Sequence, residues 1–306
     1  MGISTRPFVG MLFLAAFVVG GRELLHSGLY GLTLFILFPV ILGTLASWVV
    51  RPLTRSQAAG VGALTVIVAA CLLLMIGSEG AICIVMTLPL AVPLGILGSL
   101  LAFYAEPSKL AKGGGVAMML MLTPATITWD SLAPPPVYEV RSSIEISAPP
   151  EKVWKHVVTF SELPEPQEWY FRAGLAYPQR ARIEGSGAGA VRYCEFSTGP
   201  FVEPIEVWNE PRLLQFRVTE NPVPMHEWSP YAKVLPKHLH GYLISKQGQF
   251  RLTPLSGNRT LLEGTTWYQH GLWPTEYWRW WSDAIIHRIH LRVLRHIRTL
   301  AEEDTP

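Results

Sequence analysis

The sequence predicts two architectures in one chain. An all-α transmembrane bundle comes first. An α+β domain follows, in which one long C-terminal helix lies across a curved antiparallel sheet. Three observations predict this. Only 16% of the 306 residues are charged, against roughly 25% in an ordinary soluble domain. Those charges are uneven: residues 1–133 hold six Lys/Arg and four Asp/Glu, and residues 134–306 hold nineteen of each. Beyond Ala133-Pro134-Pro135-Pro136, a stiff extended spacer, long apolar runs give way to short alternating segments and a final helical periodicity. A 49% hydrophobic content excludes disorder as the main state. The neutral second half gives no electrostatic argument for nucleic acid.

The first half, residues 1–133, divides into four apolar segments: Phe8 to Gly20, Gly28 to Val50, Ala58 to Gly77 and Gly80 to Tyr104. The last three reach the ~20 residues that a bilayer core requires. The first reads as an anchor that stays, because no small-x-small cleavage pattern follows it convincingly. Gly113 to Ala133 is a fifth candidate, interrupted by Pro124, so the expected count is four to five helices. Arg6, Arg51, Arg55, Lys109 and Lys112 fall in alternate connections, which share one side of the membrane, and place the N-terminus in the cytoplasm. Five crossings then put the second half outside it, and four put it inside. Glu79 reads either as an interfacial carboxylate at a helix end or as a partner for a polar group within the bundle. Pro89 and Pro93 are expected to kink the fourth segment, with neighbouring helices absorbing the freed carbonyls.

After the linker at 134–137, residues 138–306 form the second domain. Tyr138 to Ser147 alternates as a strand. Pro149-Pro150-Glu151 opens a helix, proline suiting a first turn, with Val153, Trp154, Val157 and Val158 as its apolar stripe. Ser161 to Glu168 reads as a short helix or turn. Gly185, Gly187 and Gly189 make a turn into the strand Ala190 to Ser197. Phe201 to Asn209 and Leu213 to Thr219 follow as strands. Residues 220–240, rich in Pro, His and aromatics, read as a long loop and the best candidate for a gate. Leu243 to Pro254 and Arg259 to His270 form a closing hairpin. The terminal helix starts at Trp273-Pro274 and runs to about Glu302, with Trp278, Trp281, Ile285, Ile289, Val293, Ile297 and Leu300 at helical spacing. A helix laid over the concave face of such a sheet leaves a cavity between them.

The stretch SSIEISAPPEKVWKHVVTFSELPEP (142–166) resembles the opening of the START-like, helix-grip (SRPBCC) superfamily, which includes polyketide cyclases/dehydrases and lipid-transfer proteins. GAGAVRYCEFSTG (187–199) and EPIEVWNEPRLLQFRV (203–218) are similar to its central hairpins. RTLLEGTTWYQHGLWPTEYWRWWSDAIIHRIHLRVL (259–294) looks like its last strand and lid helix. The resemblance implies a helix-grip fold over about residues 138–302 and a shared cavity rather than a shared catalytic set. With the N-terminal bundle, it is similar to bacterial membrane-anchored members. An integral protein of the bacterial inner membrane is therefore expected, its START-like domain on the extracytoplasmic side.

Three groups of residues are candidates for chemistry. Nine of the eleven tryptophans follow residue 133, and they suggest a pocket or rim for an apolar ligand, ordinary core packing, or interface contact. Asp283, His287 and His290, spaced four and three apart, share one helical face. That face suits a general base oriented by a carboxylate, a metal site, or a hydrogen-bonded stripe. Glu195 shares a strand face with Tyr193 and enters the cavity only if that face is concave. The expected ligand-binding residues are Trp169, Arg172, Tyr177, Tyr193, Trp228, Tyr231, Trp267, Trp281, His287 and His290. The candidate catalytic residues are Asp283, His287 and Glu195. His238 and His240 form an HxH pair in the loop, either solvated or metal-binding. Cys71, Cys83 and Cys194 form no CxxC pair, which excludes a zinc or disulfide framework of that kind. No phosphate-binding or GxSxG motif is present. No cofactor and no metal are assigned.

These features point first to a membrane-anchored domain that binds a hydrophobic small molecule or lipid. A cyclase/dehydratase-like enzyme on a hydrophobic substrate is the alternative. A sensor or assembly partner without ligand chemistry is the third possibility.

Overall fold

A computed structural model describes residues 6–105, 124–126, 128, 135–231 and 236–303. The chain forms two compact units that do not follow chain order alone. The first comprises residues 1–134, 227–238 and 272–275, and the second residues 135–226, 239–271 and 276–306.

In the first unit, α1 spans Arg6–Ser27, running through Arg22 and Glu23 well past the apolar stretch that ends at Gly20. A π-helical turn at Thr33–Leu37 leads directly into α2, Phe38–Val50. Next is α3, Arg55–Met75, whose start carries a capping box: Thr54 accepts from Gln57 N, and the Gln57 side chain returns the bond. Then comes α4, Ala81–Tyr104, which continues through Pro89 and Pro93. Among the described residues, three helices, Thr33–Val50, Arg55–Met75 and Ala81–Tyr104, are long and apolar enough to cross a membrane. The fifth expected segment, 113–133, lies largely outside the described residues.

Small residues let these helices touch backbone to backbone, the usual device where no hydrophobic difference drives packing. A Cβ on Gly43 would stand 2.0 Å from the Gly95 carbonyl oxygen, and one on Gly98 would stand 2.0 Å from that of Val40. Hydroxyls bond across the helices too: Thr44 of α2 donates to the Gly98 carbonyl of α4 (3.1 Å), and Ser99 of α4 to that of Ala58 of α3 (2.6 Å).

The second unit holds one seven-stranded antiparallel sheet. Its strands are β1 (Val137–Ile146), β2 (Pro178–Glu184), β3 (Val191–Phe196), β4 (Gly199–Asn209), β5 (Leu213–Arg217), β6 (Leu243–Leu255) and β7 (Arg259–His270). Their order is β1-β7-β6-β5-β4-β3-β2, so the first two strands are the two edges. The link between those edges contains α5, Pro150–Val158, and α6, Trp169–Arg172. The long helix α7, Thr275–Glu303, closes the curled half-barrel.

Local chemistry explains these elements. Pro150 at the start of α5, Glu151 in its first turn, and Lys155 and His156 in its last suit both a proline-tolerant first turn and the helix dipole. The core joins Val153, Trp154 and Val157 of α5 to Ile146, Leu214 and Leu262 of the sheet and to Leu294 and Ile297 of α7.

Two differences from the sequence expectation stand out. Residues 161–168 contain no helix; the single helical turn of that region comes later, at Trp169–Arg172. β2 has no counterpart in the sequence reading. Its only apolar residues after Pro178 are Ala181 and Ile183, too few to mark a strand by periodicity.

Candidate functional site

Between the concave face of the sheet and α7 lies a cavity of about 140 Å³. Phe196, Phe201, Phe216 and Phe250 line it from the sheet, and Ile285, Ile289 and Val293 line it from α7. Residues 221–224 flank it. The bare Cα of Gly248 forms part of the wall, where an added Cβ would lie 2.6 Å from the Phe216 ring.

The alternation of β3 decides which polar groups enter. Arg192, Cys194 and Phe196 are buried and face the cavity, whereas Tyr193 and Glu195 face the other way. Arg192 pairs in register with Glu203 of β4, and the two buried side chains form an ion pair. The guanidinium also donates through Nε to the Val158 carbonyl (3.2 Å). It lies 5.5–5.6 Å from the ring centres of Phe160, Phe216 and Phe250, within cation–π range. Burial pushes the Glu203 carboxyl above its ordinary value, against the pull of Arg192. Burial, reinforced by Glu203, pushes the Cys194 thiol up to about 12. Cys194 is therefore a protonated thiol at neutral pH and a poor nucleophile.

On the α7 side, His290 reaches the cavity. Its Nε2 lies 2.7 Å from the Thr266 hydroxyl and its Nδ1 3.1 Å from that of Ser142. Burial, with the neighbouring His287, lowers its pKa to about 4, so His290 is neutral at pH 7.

The other predicted residues are dispersed. His287 is exposed and meets Ser142 through Nδ1 at 2.7 Å. Asp283 accepts from the buried Tyr268 hydroxyl (2.5 Å) and from Arg279 Nε (3.3 Å) rather than from either histidine. Burial and Asp283 both raise the Tyr268 pKa. Glu195 sits on the outer face between Arg180 (2.6 Å) and Arg182 (3.2 Å). The Arg180 hydrogen bond, joined by Arg182, holds its carboxyl below the usual range. Asp283, His287 and Glu195 thus do not converge, and none lines the cavity.

Tyr193 stacks under Arg182, 4.0 Å from its ring centre, also on the outer face. Trp169 is 77% exposed. Arg172 and Tyr177 line a separate open groove with Phe171 and His226. Trp267 and Trp281 are half-buried and do not line the cavity. Trp228 and Tyr231 belong to the first unit, whereas residues 221–224 of the same expected gate loop line the cavity. The Trp228 carbonyl accepts Ala81 N (2.8 Å), and the Tyr231 hydroxyl donates to the Met75 carbonyl (2.5 Å). Of the ten expected ligand-binding residues, His290 is the one that lines the cavity.

Sequence reasoning singled out Glu203 only as one of several strand carboxylates and missed Arg192, Gln247, Gln249, Thr265 and Thr266, all of which line it. Their signal was present in part. Arg192 and Cys194 alternate with Tyr193 and Glu195, and only the sign of the two faces was lacking.

Residues 138–268 match the family described as polyketide cyclase / dehydrase and lipid transport. No curated protein sequence matches the chain. Several solved structures are similar. Norcoclaurine synthase from Thalictrum flavum is 11% identical, with 57% of this chain and 99% of that one covered and a TM-score of 0.35. The Zhui aromatase/cyclase from Streptomyces sp. R1128 is 15% identical, over 56% and 97%, with a TM-score of 0.35. Aha1 from Colwellia psychrerythraea is 15% identical, over 55% and 99%, with a TM-score of 0.33.

Proposed function

We propose, from the match of residues 138–268 to the polyketide cyclase / dehydrase and lipid transport family, that the second unit buries a hydrophobic small molecule between its sheet and α7. The observation that carries this reading is the largely apolar cavity with a few polar groups in its wall, the usual make-up of a ligand pocket. Its volume bounds the ligand. A cavity of roughly 150 Å³ holds a benzene-sized molecule, so about 140 Å³ suits one aromatic ring. A long acyl chain requires the helix and sheet to part. Arg192 Nη2 and Thr265 Oγ1 are buried without hydrogen-bond partners, and a ligand carbonyl or hydroxyl oxygen would satisfy one of them. The three long apolar helices would hold the cavity at a membrane, with the second unit on the extracytoplasmic side.

An acid–base enzyme is the second reading, favoured by the ionisable groups that reach the cavity. It would draw on Glu203 and His290 rather than on Asp283, His287 or Glu195.

Native mass spectrometry of the full chain in detergent, with extraction of whatever co-purifies, tests the proposal. The expected result is one small hydrophobic ligand per chain, lost in Ile289→Trp, which fills part of the cavity. A wild-type chain that stays empty after incubation with aromatic probes and lipids overturns it.

A further inference from the structure

We propose that Glu79, Cys83 and His238 of the first unit form a binding site for a single zinc-like divalent metal ion. Glu79 stands between α3 and α4, Cys83 lies in the first turn of α4, and His238 comes from a 3₁₀ turn at Lys237–Leu239. One ligand atom from each lies within 4.8 Å of the others. Tetrahedral zinc with bonds of about 2.0–2.3 Å sets ligand atoms roughly 3.3–3.8 Å apart, so small side-chain adjustments close the site. Thiolate, imidazole and carboxylate together suit zinc and neighbouring first-row ions rather than magnesium or calcium.

The geometry favours a shared ion over a hydrogen-bonded relay. His238 Nε2 lies 2.6 Å from Cys83 Sγ, and Nδ1 lies 3.5 Å from Glu79 Oε2. The thiol and the carboxylate meet different ring nitrogens, yet one ligand atom from each residue lies within 4.8 Å of the others, a closeness that a relay extended through the ring would not give and that one ion can bridge. Glu79 Oε2 and His238 Nδ1 are buried and form no hydrogen bond. Glu79 is 6% exposed and His238 8%. A buried carboxylate left so is costly, and a cation removes the cost.

The surroundings resemble an outer shell that orients metal ligands. The Tyr30 hydroxyl donates to Glu79 Oε1 at 2.8 Å, and its ring stands edge-on to His238, 5.1 Å between centres. Glu227 accepts from Ile82 N (2.9 Å) and Cys83 N (3.1 Å), fixing the turn that presents the thiol. Three protein ligands leave a fourth position for water or another ligand.

The test uses the full chain in detergent, dialysed against zinc or cobalt(II) and then freed of loosely held ion. The expected result is one equivalent of zinc per chain, falling at least tenfold in Cys83→Ser and in His238→Gln. Cysteine 71 and 194 variants (Cys71→Ser, Cys194→Ser) should keep it. Cobalt should give a thiolate-to-metal charge-transfer band that Cys83→Ser abolishes. A measurement on the wild-type chain covers variants that fail to fold: Cys83 should resist alkylation with zinc present and react after chelation. No metal uptake, or uptake unchanged in both Cys83→Ser and His238→Gln, overturns the proposal. So does alkylation of Cys83 that is indifferent to chelation.

Discussion

Arg192 and Glu203 sit directly opposite each other on β3 and β4, and both side chains turn inward to pair within the cavity wall. Breaking one side of such a pair strands a buried charge, which typically costs about 3–5 kcal/mol. Glu203→Leu is therefore expected to destabilise the second unit by that order, read from denaturant unfolding followed by tryptophan fluorescence. Arg192→Met combined with Glu203→Leu should recover most of the loss. A double variant as unstable as the sum of the singles would mean that the two do not act as a pair.

His290 predicts a pH dependence. Its folded pKa of about 4 lies below the ordinary value near 6.5, so the unfolded chain binds the extra proton first. The stabilising contribution is complete above about pH 6.5 and is lost as pH falls towards 4. It amounts to no more than about 3 kcal/mol. Unfolding measured from pH 7 to pH 4 should show this loss in the wild-type chain and a flatter profile in His290→Gln. Equal slopes in the two would remove His290 as the cause.

Glu195 serves as the contrast. Its partners Arg180 and Arg182 are exposed, and exposed ion pairs contribute about 1 kcal/mol or less. Glu195→Gln should leave stability within that margin and leave ligand retention by the full chain unchanged. Loss of ligand in this variant would bring the outer face back into consideration.

The helical unit has its own test at Gly43. A methyl group there meets the Gly95 carbonyl oxygen at 2.0 Å, and neither backbone can yield locally. Gly43→Ala should cost at least the about 1–3 kcal/mol typical of overpacking, seen as a lower melting temperature in detergent. Gly60, where an added Cβ meets nothing within 4 Å, is the control. Gly60→Ala should be neutral or slightly stabilising, because alanine is the better helix former.

The fold was legible wherever periodicity was strong. The alternation of β1, β6 and β7, the stripe on α5 and the spacing along α7 all appear in the chain as read. β2 was hidden because its outward residues are charged and only Ala181 and Ile183 supply apolar positions after Pro178. The site was less legible, for a physical reason. Tryptophans mark large apolar surfaces, and here none of the described ones lines the cavity, while phenylalanines, glutamines and threonines do. Alternation gives two faces for β3 without saying which is concave; that depends on the curl of the whole sheet. Glu79, Cys83 and His238 meet although Cys83 and His238 stand 155 positions apart, and no local pattern records such a meeting.

The return of residues 227–238 and 272–275 to the helical unit imposes a timetable on biosynthesis. Cys83 leaves the ribosome 155 positions ahead of His238, an interval on the order of 10–30 s at ordinary translation rates. Throughout it, the first turn of α4 lacks the Glu227 carboxylate on its amide groups and His238 beside its thiol. The helical unit is finished only when the globular half has been largely translated. A nascent chain stalled between those positions would carry α1 to α4 with Glu79 held by Tyr30 alone and Cys83 without His238. Such a truncated product would present both groups without the later segment that meets them.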